Sequence, residues 1–392
     1  MTRQAEAISD RERKVEFTAI RHDHITTVEE KWQQLQTQGP ATAFQHFGWM
    51  KAIEAYLCPP ANARGFVVEI TEIAAGRTLM FIPFAIIKKP GYSAVEYLSL
   101  GVCDVSMPIL IPGYDFPEHA GGVLWEAIMR VLPKADLVYI DQIPRLMRGT
   151  TNPLACAPGV RQIEMRSFAV AIEGAPASVV ERIANGQMRR ILKTSRRRLE
   201  EHGEVKFIIG ATKAELDRLL AVMVAQRLER FRQLGRFDPL SRSDVREFYK
   251  AAASAGLAGE SPARVFGLSV GGEIVATAYG LVTADTFHLV IVSMADGKWL
   301  SCSPGTAVLA HVIKWARQQG LTTMDFSIGD LAYKEQFGGK PQPLYALSVP
   351  LTGKGTFILQ LQRLKNKVAS RLRSRTRLWT VINSIRSRAK GS

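Results

Sequence analysis

The stretch from Ser301 to Gly339, SCSPGTAVLAHVIKWARQQGLTTMDFSIGDLAYKEQFGG, constrains this chain more than any other. Ser303 is a helix-capping residue type, and Pro304 suits a first helical turn, where its missing N–H costs nothing. Val308, Leu309, Val312, Trp315 and Ala316 recur at helical spacing, and Gly320 stands where a helix stops. Thr322 to Ser327 predicts a short strand, with Met324 and Phe326 on one face and Asp325 and Ser327 on the other. Gly329 breaks that strand, and Asp330 is placed to cap a short helix carrying Tyr333 and Lys334.

Ser303, Gly305 and Thr306 leave the first turn of the long helix sterically open. Its free N–H groups and positive dipole end suit an anion such as a pyrophosphate. Asp325, Asp330, Tyr333 and Lys334 gather at the exit of the next strand. An anion cradle followed by a polar strand exit has the makings of an acyl-carrier site.

The chain has 392 residues, which points to two domains or more. Its formal charge of +15 calls for an anionic partner: nucleotide, nucleic acid, membrane surface or acidic glycan. Cys58, Cys103, Cys156 and Cys302 show no paired spacing, which suits a reduced compartment and argues against a disulfide scaffold or a zinc knuckle. No signal-peptide core or bilayer-spanning run is present. The expected location is cytoplasmic.

Taken in order, residues 1 to 14 read as disordered. Strands are expected at Val15–Arg21, Gly65–Glu72, Arg77–Lys88, Ala94–Leu100, Met107–Pro112 and Asp136–Ile143, with helices at Thr27–Gln38, Phe47–Leu57 and His119–Leu132. The second half repeats the order. A strand Ser167–Ile172 leads to a short helix, the basic helix Gln187–His202, the strand Val205–Ile209, and helices Lys213–Leu234 and Ser243–Ala255. Three strands across Arg264–Met294, the organising block and a last strand Leu344–Pro350 follow. In each half a hairpin sheet precedes a helix and then a strand, which suggests an internal duplication. Only the second copy has the open Ser-Pro-Gly start; the first offers Ala120-Gly121-Gly122. Residues 353–392 hold eleven lysines and arginines and no acidic residue. Phe357, Leu361, Leu364, Val368 and Leu372, then Trp379, Ile382 and Ile385, fall at helical spacing, so this basic amphipathic tail is expected to meet an anionic membrane surface through residues 357–390.

The second half resembles a GNAT acyltransferase domain. More narrowly, the chain resembles the acetyltransferase family that contains the CelD-type proteins of cellulose biosynthesis, related to the FemAB-type transferases. Three stretches carry the likeness: the basic helix Met188-Arg189-Arg190 to Arg196-Arg197-Arg198-Leu199-Glu200, Arg230-Phe231 before Gly235, and Ser303-Pro304-Gly305 with Asp325-Phe326, Gly329-Asp330 and Tyr333-Lys334. They cover roughly residues 185 to 340. A single glycine leads the helix here, where the wider GNAT pattern has a longer glycine-containing loop.

The resemblance implies an α+β fold of two GNAT-like domains, residues 15–165 and 166–352, each a mixed, mostly antiparallel sheet flanked by helices. It implies acetyl-CoA or another acyl-CoA as donor, and direct transfer to an amine or hydroxyl of a small-molecule or glycan acceptor, such as an exopolysaccharide precursor. The donor arm would pair with backbone near Val290, Ile291 and Val292, and its diphosphate would meet Ser303, Gly305 and Thr306. Tyr333 is the expected acid, and Asp325 or Asp330 the expected base. Asp330 is equally placed as a plain helix cap, and Asp325 with Lys334 as a structural ion pair. Arg227 and Arg230, one helical turn apart, together with Lys334, would hold an anionic group of the acceptor. An aminoacyl-tRNA-dependent transferase and a non-catalytic membrane-associated accessory are the competing expectations. The basic helix lacks interleaved aromatics, so nucleic acid is not the expected partner.

Overall fold

Glycine turns set the strand pairing. Gly76 (φ 61°) closes the connection between strands Ala63–Glu72 and Arg77–Lys89, and Gly271 and Gly272 (φ 57° and 88°) close that between Ala263–Val270 and Glu273–Val282. These left-handed positions carry no steric cost for glycine. The computed structural model describes residues 16–373. The N-terminal segment expected to be disordered lies outside them, as does the tail from residue 374 on, including Trp379, Ile382 and Ile385.

The described strands build one open mixed sheet of thirteen strands, with a separate hairpin, Leu146–Met147 with Thr150–Thr151. In the first half, Tyr92–Tyr97 runs parallel to Leu137–Pro144 over only three residues, Ala94–Glu96 against Leu137–Tyr139. The helix Gly121–Val131 lies between them in sequence. In the second half, Thr286–Met294 runs parallel to Thr323–Ile328 over Thr286–His288 against Thr323–Asp325, with the helix Pro304–Gln318 between them. The other pairings are antiparallel. In each half the two parallel strands stay paired over three rungs and then part in a V.

The halves are joined through the strand Lys340–Pro350. Its first residues pair with Arg161–Ala171 and its last with Leu137–Pro144 of the first half. This strand begins four residues before the expected one, because Pro341 and Pro343 read as loop and yet are accommodated beside a register shift. Arg161–Ala171 likewise starts six residues earlier than expected and straddles position 165. Met107–Pro112 shortens to Ile109–Leu110.

The larger core belongs to both halves. Trp49 of the first half packs edge-on against Phe248 of the second, with centroids 4.7 Å apart, and against Tyr249. Gly48 allows that approach: a Cβ there would lie 1.9 Å from the Glu260 carbonyl oxygen. A second core, with Phe266, Phe287, Met324 and Phe326, holds the helices Pro304–Gln318 and Gly186–Glu200 against the second half. The last described helix, Gly353–Arg373, packs Leu359 on Ala94 and Leu137. No helix among the described residues is long and apolar enough to cross a membrane.

Candidate active site

The expected anion cradle is the start of the long helix of the second half. Pro304 opens the helix Pro304–Gln318, and its first turn carries no acidic residue. Ser303 precedes it in left-handed conformation (φ 50°) and makes no side-chain cap. The Ser303 carbonyl accepts from the N–H groups of Thr306 and Ala307. The basic helix Gly186–Glu200 braces the turn before it: Ser195 Oγ donates to the Cys302 carbonyl, and Arg198 donates to that of Ser301 at 2.6 Å. Cys302 is buried.

In the first half the equivalent helix start is sealed. A Cβ at Gly121 would lie 2.0 Å from the Cys156 carbonyl oxygen, on the turn Pro153–Cys156. At Gly305 the nearest atom to such a Cβ is the Met294 sulfur, at 3.3 Å.

The open start borders a slot of about 220 Å³ in the V. Arg227, Arg230, Val292, Gly305, Thr306 and Tyr333 line it together. Val290 is the extra residue of a bulge in Thr286–Met294: Ile291 pairs with Tyr279 and Leu289 with Gly280. The bulge lies just past the last parallel rung, so the backbone there is not covered by the neighbouring strand. Burial pushes the Tyr333 phenol well above the usual tyrosine range, which keeps it protonated at neutral pH. Its hydroxyl makes no hydrogen bond among the described residues.

The arginines differ. Arg227 Nε and a terminal nitrogen lie 2.8 and 2.6 Å from Asp238 Oδ2, and the guanidinium also reaches the Val292 carbonyl and covers the Phe231 ring. It is committed to the protein's own carboxylate. Arg230 makes no hydrogen bond or salt bridge among the described residues, and its charge acts on Asp296 from a distance.

Asp330 does not cap the short helix Ala332–Gln336, whose cap position is Leu331. It is exposed and pairs with Arg166 at 2.8 Å. Asp325 and Lys334 are both buried but form no direct ion pair. Lys334 Nζ donates to the carbonyls of Ser327 (3.1 Å) and Ile328 (2.6 Å), which the left-handed kink at Ser327 (φ 60°) turns toward it. Burial brings the Lys334 ammonium down to about 8, against the pull of Asp104, Asp325 and Asp330. Asp325 Oδ1 accepts from the Ser327 N–H at 2.7 Å, and Oδ2 lies 3.0 Å from His288 Nδ1.

Two residues here escaped the sequence reading. His288 sits in an apolar strand and reads as a core residue. Asp104 comes from a loop of the first half and is brought beside Asp325, Lys334 and His288 by folding alone. Burial pushes the Asp104 carboxyl up to about 6; Asp325 adds to the rise, while Ser327, Lys334 and His288 oppose it. Next to this cluster, between the halves, lies a cavity of about 710 Å³, with His288, Asp325, Arg148, Ser167 and Gln342 in its wall. No group of three or more potential metal ligands occurs among the described residues.

The acetyltransferase (GNAT) domain family matches residues 186–335, within the second half, and this match supports a transferase. A solved structure of FemX superposes with a TM-score of 0.57 at 11% identity, covering 84% of this chain and 96% of that one. L-PGS from Bacillus licheniformis gives 0.50 at 15% identity, covering 88% and 97%. A conserved protein of unknown function from Bacteroides thetaiotaomicron VPI-5482 gives 0.50 at 9% identity, covering 86% and 99%. At these identities the likeness is one of fold. No curated protein matches the chain.

Proposed function

We propose that this chain is an acyl-CoA-dependent transferase, with acetyl as the expected group, acting on an amine or hydroxyl. One observation carries the reading: the open helix start at Gly305 and Thr306, the bulged strand with Val292, Arg230 and the protonated Tyr333 border a single slot. The diphosphate of the donor would sit at the helix start and on Arg230, and its arm along Val290 to Val292. Backbone N–H groups at the bulge would face the carbonyl oxygen as it gains charge, and Tyr333 would give its proton to the departing thiolate. Ser167, Thr283, Thr286 and Gln342 line the cavity between the halves with hydroxyl and amide groups suited to a sugar, in keeping with the resemblance to the family that contains the CelD-type proteins of cellulose biosynthesis.

The test is calorimetry with CoA and acetyl-CoA. Saturable binding lost in a folded Gly305→Glu variant supports the site. Absence of heat with either ligand removes the acyl-CoA reading. The fold likeness to FemX favours a second reading, a FemAB-type aminoacyl-tRNA donor. Binding of charged tRNA that weakens steeply with salt would establish it instead. A third element of the proposal is attachment to an anionic membrane surface through the basic tail, on the cytoplasmic side. It is supported by the apolar face that the helix Gly353–Arg373 leaves exposed.

A further inference from the structure

We infer that His288 is the proton acceptor of the transfer, oriented by Asp325, and that the nucleophile is presented to it from the cavity between the halves. This rests on the transferase reading but not on the identity of the acyl donor. Three observations converge. His288 is only 3% exposed, yet it lines the 710 Å³ cavity, and no described residue hydrogen-bonds its Nε2. A neutral imidazole nitrogen that faces a cleft and has no protein partner can accept a proton from a group held there. Next, Nδ1 is held 3.0 Å from Asp325 Oδ2, while Asp325 is itself fixed by the Ser327 N–H. A carboxylate there keeps the ring proton on Nδ1 and leaves the Nε2 lone pair free to accept. The edge of the ring is set by Phe44 of the first half, with centroids 5.4 Å apart.

Last, His288 occupies the final parallel rung before the strands part. Two residue steps, about 7 Å along the strand, take it to the bulge at Val290. A base at that place lines the cavity between the halves, on the same strand whose Val292 borders the donor slot. Asp325 is less suited to the task, since both its oxygens already accept. The charged groups around the ring are Asp325 on the neighbouring strand, Asp104 from the first-half loop and, behind them, Lys334; Arg148 and Asp285 pair with each other at 2.9 Å on the cavity wall.

The step balances as follows. The acceptor N–H or O–H proton passes to His288 Nε2 as its lone pair bonds to the acyl carbon. The carbon–sulfur bond breaks, and the thiolate takes the Tyr333 hydroxyl proton. His288 then releases its proton to solvent, and Tyr333 regains one.

The test begins with nitrogen-15 NMR of the full chain labelled at histidine, which needs no substrate. The neutral His288 ring is expected to carry its proton on Nδ1, and Asp325→Asn to abolish that preference. A proton resident on Nε2 overturns the inference whatever the donor, because such a ring cannot accept. The second arm measures thiol release from acetyl-CoA with glucosamine as probe acceptor, alongside CoA calorimetry. His288→Gln is expected to bind CoA as the parent does while turnover falls about 10²- to 10⁴-fold and the acidic limb of the pH profile disappears. Added imidazole should restore part of the rate to His288→Gly. A folded His288→Gln or His288→Asn that keeps turnover within threefold, with the acidic limb intact, overturns the inference. A parent protein that binds no CoA removes the donor reading alone; the NMR arm still decides this one, and the turnover comparison passes to an aminoacyl-tRNA donor.

Discussion

Arg227 closes on Asp238 through two nitrogens, at 2.8 and 2.6 Å, and the same guanidinium bonds the Val292 carbonyl at the floor of the slot. Asp238 is almost fully buried, and its other oxygen caps the turn Pro239–Ser241 through the Leu240 N–H. One carboxylate therefore ties the long helix Lys213–Gln233 to the V. Removing it leaves a mostly buried cation unpaired, which typically costs about 3–5 kcal/mol. Asp238→Ala is expected to lose stability of that order in urea unfolding and to weaken CoA binding as the Val292 backbone loosens. A loss under 1 kcal/mol would show that the pair is not what fixes the slot.

The two helix starts predict opposite responses to the same substitution. Gly121→Ala drives a Cβ into the Cys156 carbonyl, a backbone atom that cannot step aside. Gly305→Ala meets the flexible Met294 sulfur at 3.3 Å, with Met294 Cβ and Val292 at ordinary contact distance, and gains helix propensity. The first is expected to cost about 1–3 kcal/mol as overpacking does, and the second to stay within about 1 kcal/mol of the parent. Chemical denaturation of both variants checks this, and equal losses would mean that the two starts are not differently sealed.

Much of the fold was legible because glycine, proline and apolar period carry their own geometry. The Gly271-Gly272 turn, the Pro304 start and the Met324/Phe326 face all follow from local chemistry, and the structure places them as the sequence dictates. The joining strand was cut short in the reading because Pro341 and Pro343 ordinarily oppose sheet structure. At the site, the residues named from the sequence divide. Arg227, Arg230, Val292, Gly305, Thr306 and Tyr333 meet in one slot, while Asp330 turns outward to Arg166. Asp104 was beyond reach because nothing local to it announces a partner in the other half. His288 was hidden by its own strand, where an alternating apolar run makes any residue look like packing.

Asp104 and Lys334 predict how stability follows pH. Asp104 is raised to about 6 from 3.8, so the folded chain binds more protons than the unfolded one between those values. Stability from this group therefore falls as pH rises from about 4 to 6. Lys334 is lowered to about 8 from 10.5, so the unfolded chain binds more protons between pH 8 and 10.5, and stability from this group rises there. Asp104→Asn is expected to flatten the decline between pH 4 and 6 and to lower the Lys334 value further, by removing a supporting charge. Unfolding free energies across pH and a Lys334 NMR titration test both, and an unchanged slope in Asp104→Asn would contradict the account.

Tyr333 separates stability from chemistry. Its hydroxyl has no protein partner among the described residues, and its ring packs edge-on to Phe326 at 6.1 Å. Tyr333→Phe keeps the ring, so unfolding should move by no more than about 0.5 kcal/mol. If the hydroxyl protonates the leaving thiolate, turnover with acetyl-CoA should fall about 10²-fold or more. The loss should be largest with alkyl thioesters and small with an aryl thioester, whose thiolate leaves unaided. An equal loss with both would point to packing rather than proton transfer.

The C-terminal helix predicts a membrane response that the rest of the chain does not share. Leu359 faces the protein, whereas Phe357, Leu361 and Leu364 are 65%, 40% and 59% exposed along the other side of Gly353–Arg373. Three large apolar groups one helical turn apart are exposed to this extent, and Arg363 and Lys365 stand beside them. The sequence beyond keeps adding cations without a single acid. Each basic residue near an anionic leaflet contributes about 1 kcal/mol, and the apolar stripe supplies the insertion that charge alone does not. Flotation with vesicles of phosphatidylglycerol and phosphatidylcholine should therefore retain the full chain, weaken as salt rises, and fail with pure phosphatidylcholine. Phe357→Glu with Leu361→Glu should abolish flotation while leaving the unfolding free energy within about 1 kcal/mol of the parent, since neither side chain is buried. If that double variant floats as the parent does, the stripe is not what meets the bilayer.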